Sequence, residues 1–91
     1  MRPIIVTISR NPNNAGQCLI NPNPFHANQN DAVTFNPPGV RIQFTTESPF
    51  VERDFLSGSH RVVVGFGKFN YEVSWVDENG PSSGNGSGEV G

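Results

Sequence analysis

The sequence predicts an all-β domain, a small sandwich or barrel. Three observations carry this. No window of a dozen residues spaces its apolar side chains at helical intervals. Short runs with apolar residues on alternate positions recur at roughly ten-residue spacing, separated by Asn, Pro and Gly. The clearest run puts Phe69, Tyr71, Val73 and Trp75 on one parity and Asn70, Glu72 and Ser74 on the other. Side chains alternate across a strand, so this run has one apolar and one wet face.

The elements follow in order. Ile4, Val6 and Ile8 share a face and define a first strand to Ser9. Asn11-Pro12-Asn13-Asn14-Ala15-Gly16 reads as a turn, because Asn and Gly accept positive φ and Pro fixes its own. Gln17 to Ile20 forms a short second strand, broken by Asn21-Pro22-Asn23-Pro24. Phe25 to Ala27 reads as a strand fragment and Ala32 to Phe35 as a main strand. Asn36-Pro37-Pro38-Gly39 is the strongest turn signal. Val40, Ile42 and Phe44 then alternate with Arg41 and Gln43. Residues 45–56 have no clean period and read as a loop, with room for one helical turn, pinned by aromatic plugs. Ser57-Gly58-Ser59 ends it, His60 to Val64 is a strand, and Gly65-Phe66-Gly67 links it to the Phe69–Trp75 strand. Asp77 to Pro81 is a turn. Residues 1–80 are thus one domain, and the Gly/Ser-rich segment 81–91 reads as a flexible tail. Within that tail, Gly88-Glu89-Val90 is expected to form a short edge strand or to lie along a neighbour.

Composition narrows the function classes. Apolar residues make up 34% of 91, low because ten Gly and eight Pro serve turns; seven Phe, one Tyr and one Trp supply the bulk of a small core. A net charge of −2 with six scattered cations gives no basic face for nucleic acid. The apolar run at the N-terminus is too short for a signal peptide or a membrane span. Cys18 is the one cysteine, so no intrachain disulfide forms. Cytoplasm is the default expectation.

The order of strands, with Asp31-Ala32-Val33-Thr34-Phe35-Asn36 feeding a turn and the late Phe69–Trp75 strand, resembles the cupredoxin-like domains of the plastocyanin type. The resemblance spans roughly residues 4–80. It implies a small antiparallel or mixed Greek-key β-sandwich of about six to eight strands. It also implies where copper ligands would sit: a His near Gly39 or Val40, a Cys near Val73, and a second His near Trp75 or Val76. None of these positions carries such a residue, and the lone methionine is Met1. A blue-copper site needs imidazole and soft sulfur together, so no metal or other cofactor is expected.

Other candidates have plain readings. Cys18 with His26 is the alternative metal or redox pair, but neither stands at a motif spacing, and Cys18 reads as a small hydrophobe. Ser59 and His60 are adjacent in a strand and point to opposite faces. Glu47, Glu52 and Asp54 with Arg53 could pair carboxylates for acid–base work, and read better as a charged loop surface. Gly65-Phe66-Gly67-Lys68 lacks the spacing of a phosphate loop. Tyr71 and Trp75 could stack a sugar if exposed; sharing a face with Phe69 and Val73, they read as core. No catalytic constellation is visible, so an enzyme is not expected. What remains is a metal-free binding or interaction module, able to self-associate, with Phe50 and Phe55 in the long loop as the expected partner surface.

Overall fold

The computed structural model describes residues 3–91, and among them the fold is all-β, with nine strands and no helix. Met1 and Arg2, in the expected 1–80 domain, lie outside the described residues. The strands are β1 (Pro3–Asn11), β2 (Asn14–Asn21), β3 (Phe25–Ala27), β4 (Ala32–Asn36), β5 (Arg41–Phe44), β6 (Asp54–Leu56), β7 (Gly58–Arg61), β8 (Gly67–Asp77) and β9 (Gly80–Val90). Eight run in the order β6-β5-β8-β9-β2-β1-β4-β7, and β3 pairs with β9 beside this path. Pairing is mixed: β1 runs parallel to β4, and β2 and β3 run parallel to β9. The link between β2 and β9 is a single pair, Gln17 with Ser83.

The sheet curls round one core. Val6 and Ile8 on β1, Val33 and Phe35 on β4, Ile42 and Phe44 on β5, and Tyr71 and Val73 on β8 are all buried. Rings from opposite sides meet there: Phe35 stands edge-on to Tyr71 with centroids 5.9 Å apart. Each such ring buries enough area to contribute about 1.5–3 kcal/mol. The alternation of β8 holds as expected, with Phe69, Tyr71 and Val73 buried and Trp75 half-buried at its end. Arg10 packs its guanidinium over the Trp75 ring at 5.2 Å and ion-pairs with Asp77 at 2.6 Å.

The C-terminal segment differs from its expected form. β9 is an eleven-residue interior strand, paired with β8 from Gly67↔Val90 to Asp77↔Gly80 and flanked by β2 and β3. It is an integral part of the sheet, not an edge or a tail. Its inward positions, Ser82, Gly84, Gly86, Gly88 and Val90, alternate with outward Ser83, Asn85, Ser87 and Glu89. The inward glycines carry no apolar side chain, so the strand's period is silent in the sequence. Neighbouring rings fill the space instead. A Cβ on Gly86 would lie 2.6 Å from the Tyr71 hydroxyl, and one on Gly88 would clash with the edge of the Phe25 ring.

Residues 45–56 differ too. They end in strand β6, paired with β5 through Ile42↔Phe55, and contain no helical turn. β7 starts earlier than expected, at Gly58. It also stops earlier, at Arg61; beyond it the Val62 N–H still donates to the Asp31 carbonyl at 2.9 Å, and the Val63 N–H, on the other side, donates to the Pro49 carbonyl at 2.8 Å.

Candidate functional site: the open seam of the barrel

β6 and β7 are the two ends of the strand order, and they are consecutive in the chain, joined at Ser57. The barrel therefore closes at one corner and stays open beyond it. At the corner, Ser57 donates its N–H to the Val40 carbonyl at 2.8 Å and its hydroxyl to the Pro37 carbonyl at 2.7 Å. Past it, a groove of about 280 Å³ separates β7 from the 48–52 segment. That volume lies just below the usual range of small-molecule pockets.

Local chemistry builds each wall. The Ser48 hydroxyl accepts the Phe50 N–H at 3.0 Å and donates to the Glu52 carbonyl at 2.7 Å. This side-chain-to-backbone turn bends the chain so that Phe50 drops inward while Val51 points out, 82% exposed. Val63, 42% exposed, lies on the same groove, with Glu52 on one rim and Arg61 on the other. Arg61 and Glu52 make no ion pair with any described residue.

The floor is aromatic. Phe50 and Phe55, expected as a partner surface, are 4% and 8% exposed and belong to the core. Their rings meet edge-on at 5.6 Å, and each packs against Phe35 and Phe44. The exposed apolar side chains of residues 45–56 are Val51 and Leu56 instead. Sequence reasoning missed them because a single exposed aliphatic carries no pattern. His60 caps the floor: its ring lies 3.9 Å from that of Phe55, and Nε2 sits 3.1 Å from the Leu56 carbonyl. A carbonyl only accepts, so Nε2 carries the proton.

The backbone of the β7 wall is unpaired on its outer side. Among the described residues β7 pairs only with β4. Peptide groups alternate in direction along an antiparallel strand. The Val62 N–H donates to the Asp31 carbonyl on the β4 side, and the Val63 N–H points the other way. The N–H and C=O groups of Ser59 and Arg61 therefore face the seam.

The remaining candidates are placed apart. Cys18 is buried on β2 with its sulfur 3.1 Å from the Ser82 hydroxyl. His26 is exposed on β3, its Nδ1 3.1 Å from a Glu89 carboxylate oxygen. The two do not share a face. No cluster of three or more His, Cys, Asp or Glu able to hold a metal forms among the described residues. Val40 and Val73, at positions where the resemblance would put ligands, are fully buried hydrocarbon. Ser59 turns outward to Thr34, hydroxyl to hydroxyl at 2.7 Å, away from the inward ring of His60. Glu47, Glu52 and Asp54 are exposed. Asp54 is engaged by Arg41, whose hydrogen bond holds the carboxyl below its ordinary range. A second, polar cleft of about 410 Å³ lies where β2 meets β9, lined by Gln17, Glu72, Ser74 and Asn85. No described helix is long and apolar enough to cross a membrane. No protein-family model matches this chain, and no curated protein matches it either.

Proposed function

We propose that the chain is a cupredoxin-like domain without copper ligands that serves as a metal-free interaction module and holds a protein partner at the open seam. The observation that carries this is the combination of an unpaired strand edge at Ser59 and Arg61 with exposed Val51 and Val63 over an aromatic floor. Unpaired edges and exposed aliphatics are features that monomeric folds normally cover or blunt. The mixed all-β sheet is compatible with the cupredoxin-like part of the reading, and the hydrocarbon at Val40 and Val73 supports the copper-free part.

The test is a photo-crosslinking residue at position 51, with a control at Asn13 on the distant hairpin. The expected result is a crosslinked protein adduct from position 51 and none from 13. Equal yields, or none from either, would remove the seam as the interaction surface. A Cu²⁺ or Zn²⁺ titration checks the other half: the melting temperature should not move. A saturable shift lost in Cys18→Ser would instead favour the alternative centred on Cys18 and His26.

A further inference from the structure

We infer that the partner at the seam is a second copy of this chain, joined edge to edge through β7 about a two-fold axis at His60. The inference rests on the seam being the interaction surface.

Backbone geometry is the first argument. The seam-facing peptide groups belong to Ser59 and Arg61, one residue on each side of His60. An antiparallel copy centred on His60 sets Ser59 opposite the second copy's Arg61, and Arg61 opposite its Ser59. Residues opposed in this way exchange both N–H···O=C bonds, so the pairing makes four and leaves none of these groups open. An edge whose free groups are symmetric about one residue is self-complementary, as an isologous interface requires. The sheet β2-β1-β4-β7 would then continue through the axis into the second copy's β7.

Charge is the second argument. Arg61 and Glu52 stand on opposite rims of one groove, and neither has an ion-pair partner among the described residues. The two-fold carries each Arg61 to the second copy's groove, where the facing rim is Glu52. Each interface thus gains two opposite-charge pairings, and Val51 of each copy comes over the other's edge. The ladder runs no further, because the Val63 N–H is already held by Pro49 and the chain turns at Ser57. The contact is short, so association should be weak and concentration-dependent.

The experiment is sedimentation of the purified full chain from about 10 μM to about 1 mM, a range that brackets weak association. The expected result is a rise from monomer toward twice the chain mass. Arg61→Glu should weaken association about tenfold or more, and Glu52→Arg likewise. The exchanged double variant should return to within a few-fold of the natural chain. Ser59→Pro, which removes a seam-facing N–H, should abolish dimers; the charge exchange keeps the test intact if that variant does not fold. A chain that stays monomeric at about 1 mM, or a dimer indifferent to both charge reversals, overturns the inference. With a monomeric chain, a position-51 adduct to a different protein rejects the second copy and keeps the seam. No adduct at all rejects both.

Discussion

The phenol of Tyr71 occupies the space that a side chain at position 86 would take: a Cβ on Gly86 would lie 2.6 Å from its hydroxyl oxygen. The two residues are directly paired across β8 and β9. Phe25 stands over Gly88 in the same way. The rings supply the inward bulk of β9, and the glycines give them the room.

Gly86→Ala and Gly88→Ala should each lower stability by about 1–3 kcal/mol, the usual cost of forcing volume into a filled core. Ser83→Ala, on the outward face of the same strand, should stay within about 0.5 kcal/mol. Urea unfolding of the three variants makes the comparison, and equal losses at all three sites would contradict it.

Tyr71→Phe should stabilise the domain. The hydroxyl is buried with no hydrogen-bond partner among the described residues. A buried group left unsatisfied costs about 1–3 kcal/mol, and its removal leaves only a small void. A gain of about 1 kcal/mol in unfolding free energy is the expected outcome. A loss of that size would mean that the hydroxyl is bonded in solution.

Alkaline titration reads the same residue from another side. Burial pushes the Tyr71 phenol well above its ordinary value. The native state therefore keeps a proton that the unfolded chain releases above pH ~10, and stability falls as pH rises past that point. Tyr71 is the only tyrosine, so phenolate absorbance reports it alone. Absorbance and loss of β circular dichroism should rise together; phenolate formation in a still-folded chain would refute this.

Asp77 should shape the acid limb. The Asn79 N–H and then the Arg10 guanidinium hold its carboxyl below the ordinary range. A lowered folded value stabilises fully above the ordinary carboxylate range, near pH ~3.9, and the contribution is lost as pH falls through the folded value. Asp77→Asn should therefore melt lower than the natural chain at neutral pH. The gap should close in thermal melts taken from pH ~5 down to pH ~2.

Phe50→Ala should cost about 3–5 kcal/mol, because it empties a core site. Val51→Asp, one residue on, should leave stability within about 0.5 kcal/mol. Chemical denaturation separates them: similar losses at both positions would mean that residue 51 is buried in solution.

The sequence by itself determined the all-β class and the strands with a visible period. Alternation of apolar side chains is enough to place β1, β4, β5 and β8, and Pro with Asn and Gly is enough to end them. It also determined the residue types at Val40, Val73 and Trp75, none of which is an imidazole or a thiol. Only the tertiary structure decided the rest. Beyond the short strand expected at Gly88–Val90, β9 leaves no period in the sequence, because its inward residues are mostly glycines and the groups that fill its face come from Tyr71 and Phe25 on other strands. Phe50 and Phe55 lay in a segment without period, and their burial depends on a turn held by Ser48 and on rings brought in from β4 and β5. The seam is a property of strand order: β6 and β7 are neighbours in the chain and the two free ends of the sheet. Local pattern encodes which way a side chain faces within one strand. It does not encode which strands meet, and the seam exists because two of them do not.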